Sequence, residues 1–156
     1  MTLYHTSLMP IDTPDTRHSR TNLDFGKGFY LTPLREQAVR YAGRFANRRK
    51  EAWLNIYELC EEWRDWNVKT CSGYNEEWLD FVTDCRLGKD TGDYDMVVGG
   101  VANDNVFETV DLYFSGAMTK ERALQRLAFE HPNIQYCIRS EQMLRDCLTF
   151  KEAIKL

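Results

Sequence analysis

Asp24-Phe25-Gly26-Lys27-Gly28-Phe29-Tyr30-Leu31-Thr32 is the stretch that decides how this chain is read. Its glycines at 26 and 28 let the backbone take positive φ or approach another group closely, at an entropic cost that an ordinary loop avoids. Phe29, Tyr30 and Leu31 have the composition of a short buried strand. Thr32-Pro33 then reads as a helix start, with Thr at the N-cap and Pro at the first helical position. A glycine turn feeding a strand, with an aromatic at its tip and a helix behind it, suits a flat ligand held against the backbone. The same residues also fit a tight hairpin whose aromatics belong to the core.

On the C-terminal side, Leu34, Ala38, Tyr41, Ala42, Phe45 and Ala46 form a one-faced helical stripe, which places Tyr41 on the buried side. On the N-terminal side, residues 10 to 24 hold Pro10, Pro14 and many short polar residues and read as a loop. A loop of that length in a small domain is often functional. Ahead of it, Thr2 to Ser7 alternates like a strand around His5.

Further along, Trp53 to Cys60, Tyr94 to Val98 and Asn133 to Ile138 read as strands. Asn75, Asp104, Thr119 and Ser140 stand where helix N-caps belong, and Gly88 and Gly116 where helices stop. The helix after Ser140 carries Met143, Leu144, Cys147 and Leu148 on one face. Strands interrupted by helices and glycine turns indicate a single α+β domain over residues 1–156.

Composition narrows the function classes. A chain of 156 residues with 43% hydrophobic and 13% aromatic content can bury a real core. A net charge of −4 gives no general basic footprint for nucleic acid, although Arg44, Arg48, Arg49 and Lys50 cluster locally. The cysteines at 60, 71, 85, 137 and 147 are odd in number and lack CxxC pairs, which fits reduced thiols in a cytoplasmic protein. The three histidines stand at no zinc-like spacing from them, so no metal is expected. Neither a signal peptide nor a membrane-spanning run is visible.

Three pieces of the chain form a resemblance. Leu3-Tyr4-His5-Thr6-Ser7 is similar to the first-strand histidine motif of ADP-ribosyltransferases, the group that includes diphtheria-type toxins and poly(ADP-ribose) polymerases. Phe25-Gly26-Lys27-Gly28-Phe29-Tyr30 resembles their glycine–tyrosine motif, and Tyr41 falls where they place a second ring. Gln135 falls where many members carry glutamate. Across nearly its whole length the chain also resembles the bacterial domain of unknown function numbered 3990, a family thought to be ADP-ribosyltransferase-like.

The resemblance implies a split β-sheet core with flanking helices, NAD as co-substrate, and His5, Tyr30 and Gln135 as the catalytic set, and the order of the motifs puts His5 and Gln135 on neighbouring central strands facing one cleft with Tyr30 and Tyr41. It also implies that His5, Thr6, Ser7, Gly28, Tyr30 and Tyr41 bind NAD. The ring faces of Tyr30 and Tyr41 suit a cationic nicotinamide. His5 would bond a ribose hydroxyl, and the backbone of Thr6, with Ser7 beside it, the carboxamide and ribose. Cleavage of the nicotinamide bond develops positive charge on the ribose, which a carboxylate would stabilise. Gln135 can orient the ribose but carries no charge. Asp104 and Glu141 are the nearest candidate carboxylates.

The expected activity is therefore transfer of one ADP-ribose unit to a protein or nucleic-acid acceptor, in a toxin or effector accompanied by an antidote protein. A different class is a silent module that binds NAD or ADP-ribose, or a partner protein. A third, a nucleic-acid modifier, needs a basic groove, for which Arg17, His18 and Arg20 are the candidates.

Overall fold

Strands form where apolar and aromatic residues alternate, and helices where apolar residues recur every third and fourth position. The computed structural model describes residues 1–156. The first half gives β1 (Thr2–Ser7), β2 (Phe29–Leu31), α1 (Arg35–Tyr41), α2 (Gly43–Ala46) and β3 (Trp53–Leu59). A 3-10 turn (Glu61–Asp65), β4 (Val68–Thr70), α3 (Glu76–Arg86), β5 (Met96–Gly100) and α4 (Asp104–Phe114) follow. The last quarter is α5 (Lys120–Leu127), β6 (Ile134–Ile138), α6 (Glu141–Cys147) and β7 (Leu148–Lys155).

The fold is mixed α and β, with two small sheets. One is antiparallel in the order β1-β3-β7. The other runs β2-β6-β5-β4, antiparallel except where β4 lies parallel to β5. The sheets meet at a seam. There Tyr4 and Thr32 exchange N–H to C=O bonds of 2.8 and 2.9 Å.

Period-2 alternation divides the core between the two faces of the second sheet. Phe29, Leu31, Met96, Val98 and Ile138 face Leu3, Tyr57 and Leu59 of the first sheet, with Met143 and Leu144 of α6 closing the end. On the opposite face, Val97 and Cys137 pack against α3, α4 and α5 through Trp78, Val82, Val106, Val110 and Leu127. Tyr30 is paired with Cys137, so it shares that second face, as does Gln135 two residues before Cys137. The strand pattern thus puts Tyr30 and Gln135 on one side of one sheet.

Asn75, Thr119 and Ser140 cap α3, α5 and α6 as expected, each side chain accepting the N–H three residues on. Other expectations are corrected. Thr32 does not cap α1, whose N-cap position is held by Leu34 without a side-chain cap bond. Its Oγ1 instead accepts the Leu34 N–H at 3.1 Å, and the helix begins at Arg35. Asn103, one residue early, caps α4 by accepting the Val106 N–H at 3.0 Å, so Asp104 is its first helical residue.

Tyr41 is not buried. It closes α1, the chain re-forms as the short α2 after it, and its ring is left 44% exposed. The last helix stops at Cys147, and β7 follows at once to join β3. The expectation of five reduced thiols also fails. Cys60 and Cys147 form a disulfide, while Cys71, Cys85 and Cys137 are free and buried. The thiol argument for a cytoplasmic location therefore no longer holds. No helix is long and apolar enough to cross a membrane.

Candidate functional site

A cavity of about 1110 Å³ opens along the seam between the sheets. Its volume exceeds that of ordinary drug-sized pockets, which leaves room for a dinucleotide. Four side chains from four elements reach it: His5 from β1, Tyr30 from β2, Tyr41 from the end of α1, and Gln135 from β6. His5 and Gln135 do not stand on neighbouring strands, as their motif order suggested. They belong to different sheets, and β2 lies between them.

His5 is fixed from two sides. Its ring packs on Phe29 with centroids 4.5 Å apart, and its Nδ1 lies 2.7 Å from the Tyr30 carbonyl oxygen. A carbonyl only accepts, so Nδ1 carries the hydrogen and Nε2 is left as an acceptor. Burial lowers the imidazole pKa, opposed in part by that hydrogen bond. At neutral pH His5 is thus a neutral group offering a lone pair at Nε2.

Tyr30 has two tasks. Its hydroxyl donates to the Gly26 carbonyl at 2.5 Å and accepts the Phe25 N–H at 3.1 Å, so the phenol closes the glycine turn. Burial holds its pKa far above that of a free phenol. The ring packs against the core as well as lining the cavity, which makes it less a free ligand platform than the sequence implied. Tyr41 is the freer ring. It is flanked by the Arg44 guanidinium, 4.8 Å from its centroid, and by Phe45 edge-on at 5.8 Å.

The turn itself requires glycine for two reasons. Gly26 has φ of +77°, which favours glycine. At Gly28 a Cβ would stand 2.5 Å from the Cys137 Sγ and 2.8 Å from the Ile138 carbonyl oxygen. The Gly28 N–H donates to Ser19 Oγ at 3.1 Å, tying the long loop to the turn. Gly28→Ala is expected to destabilise the fold by about 2 kcal/mol through overpacking against β6. A urea midpoint equal to wild type would show that β2 and β6 can part at no cost.

Two hydroxyls next to His5 are bonded within the chain. Thr6 Oγ1 donates to the Ala38 carbonyl at 2.5 Å, and Ser7 Oγ donates to the Met9 carbonyl at 2.5 Å. Asp104 and Glu141 do not line the cavity. Glu141 instead accepts the Thr16 N–H at 2.8 Å and the Thr16 hydroxyl at 2.6 Å, bonds that lower its pKa. The carboxylates that do line it are Asp12, Asp15 and Asp24. Asp24 is paired with Arg86 at 2.8 Å, and both Asp15 oxygens lie 2.9 Å from His18 Nδ1. Asp12 and Asp15 match Arg17 and Arg20 in charge, so the loop makes no basic groove.

Two residues that hold the site escaped the sequence reading. Asn55, fully buried on β3, accepts the Ile11 N–H at 2.7 Å and donates to the His5 carbonyl at 3.2 Å and Ser7 Oγ at 2.7 Å. Tyr57 donates to the Ile11 carbonyl at 2.7 Å. Both polar groups of the Ile11 backbone are thereby held by the first sheet. The signal was present: an asparagine inside an apolar strand must be satisfied when buried.

The loop wall, the glycine turn and the seam histidine thus come from one contiguous design spanning most of the chain. Residues 1–150 match the family described as "Protein of unknown function (DUF3990)". The chain belongs to the DUF3990 family. No curated protein and no solved structure matches it. In this DUF3990 chain the matched span contains every cavity residue named above and ends within β7.

Proposed function

We propose that the protein is an NAD-dependent mono-ADP-ribosyltransferase with an ADP-ribosyltransferase-like split-sheet core. The observation that carries this reading is the convergence of His5, Tyr30, Tyr41 and Gln135 on one dinucleotide-sized cavity. His5 Nε2 accepts from a ribose hydroxyl, the Tyr41 ring covers the nicotinamide, and the Gln135 amide bonds the 2′-hydroxyl. In the reaction the ribose–nicotinamide bond breaks and nicotinamide leaves with the bonding pair. A nucleophile of the acceptor then bonds to the ribose carbon and gives up its proton. Asp12, which has no ion-pair partner, is the cavity carboxylate free to face the positive charge on the ribose.

A second reading is a silent NAD- or ADP-ribose-binding module. It is favoured by the uncharged Gln135 and by the absence of Asp104 and Glu141 from the cavity lining. A toxin or effector role with an antidote partner, and the cytoplasm as its place of action, belong to the transferase reading.

NAD should raise the melting temperature by mass action. Tyr41→Ala should remove much of that shift without loss of fold, because the ring is exposed. Incubation with labelled NAD in a cell lysate then separates the readings. Label on a macromolecule, increased by Gln135→Glu, supports the transferase. Binding without turnover in either form supports the silent module. A melting temperature that responds to neither NAD nor ADP-ribose rules out both.

A further inference from the structure

Beside the main cavity lies a smaller one of about 310 Å³, lined by Leu23, Asp24, Arg86, Phe107, Asp111 and Phe114 among its seven residues. The two share Leu23, Asp24 and Phe107, so a wall of the first is a wall of the second. Phe107, Asp111 and Phe114 lie at i, i+4 and i+7 on α4 and therefore form one stripe. Their rings are 52% and 40% exposed, unusual for phenylalanine on a helix whose other face is packed in the core.

The charges of this small pocket do not balance. Arg86 is bonded to Asp24 at 2.8 Å, and its guanidinium already stacks 5.2 Å from the Phe107 ring. Asp111 has no ion-pair partner, which leaves one negative charge between two aromatic rings. The exposed residues of α4 add Asp104 and Glu108, and the helix contains no basic residue. Aromatic faces around an uncompensated carboxylate attract an organic cation through both the ring quadrupole and the charge. A polyanionic partner such as nucleic acid would be repelled by the acidic face of α4.

We propose that the Phe107–Asp111–Phe114 pocket docks an arginine side chain of a basic protein segment. It anchors the macromolecular acceptor beside the cavity, and the anchoring arginine is not the modified group. Only the word acceptor rests on the transferase reading; the docking itself does not.

The test uses a fluorescent peptide of alternating glycine and arginine at low ionic strength, read by anisotropy on the full chain. Wild type should bind it and should not bind the same peptide with norleucine in place of arginine. Asp111→Asn and Phe114→Ala should each weaken binding by roughly three- to tenfold. Neither should change the melting-temperature shift given by NAD. Glu152→Gln, an equal charge change on β7, should leave peptide binding as it was.

Absence of binding to wild type overturns the proposal, as does an equal loss in Glu152→Gln. Self-association abolished by Phe114→Ala in sedimentation would assign the pocket to a second copy and also overturn it. Peptide binding without any NAD shift would retain the docking site and remove the transferase reading. An NAD shift without peptide binding would do the reverse.

Discussion

Reduction of the Cys60–Cys147 bond is expected to lower the unfolding free energy by about 4 kcal/mol, because the cross-link spans a sequence separation of 87 residues. In the chain-entropy account, releasing so long a loop restores conformations to the unfolded state. The bond joins the end of β3 to the end of α6, where the Cys60 N–H also donates to the Cys147 carbonyl at 2.7 Å. Urea unfolding with and without reductant measures the effect, and Cys147→Ser should reproduce the reduced midpoint. Coincident curves would show that the cross-link contributes nothing to folding. Reduction should also loosen the cavity, since α6 carries the Glu141 that holds Thr16 in the long loop.

Asn55→Ala should cost about 3 kcal/mol, since truncation leaves the buried Ile11 N–H without its acceptor and opens space around it. Tyr57→Phe, which removes one hydrogen bond to the same residue, should cost only about 1 kcal/mol. Asn55→Asp keeps the acceptor but sets a buried carboxylate against the His5 carbonyl, so it should be the worst of the three. Thermal melts rank them. Trypsin adds a local readout, because freeing Ile11 should speed cleavage at the exposed Arg17 and Arg20. Cleavage of Asn55→Ala at the wild-type rate would place the pinning of this loop elsewhere.

The strands around the site were legible because Thr2–Ser7, Phe29–Leu31 and Ile134–Ile138 are short runs rich in aromatic and β-branched residues between turn-forming segments. Their partners were not, since pairing order depends on contacts far apart in the chain. This is why His5 and Gln135 were expected as strand neighbours and stand on separate sheets. Leu148 falls on the helical stripe because it lies four residues after Leu144, and that spacing cannot reveal the switch to an extended backbone at ψ 120°. The stripe that runs on to Phe45 predicts a buried Tyr41, whereas the helix is interrupted after Tyr41.

The cysteine pairing had no local signature, because proximity of residues 60 and 147 follows from the β3–β7 pairing. Gly28 illustrates the opposite case. The sequence flagged the glycine without its reason, which is the Cys137 sulfur and Ile138 carbonyl filling the space a Cβ would need.

The free thiols make one half of the molecule report on itself. Cys71, Cys85 and Cys137 all belong to the core under α3, α4 and α5, and none is more than 4% exposed. In the native state an alkylating reagent reaches them only through opening fluctuations, so the labelling rate of each is a clock for that core. The disulfide lies in the other core, between the sheets, and is silent to the same reagent. Mass spectrometry of labelled protein therefore follows the breathing of one core without any introduced probe. If ligand in the seam slows all three sulfurs together, the cavity and that core open as one cooperative unit.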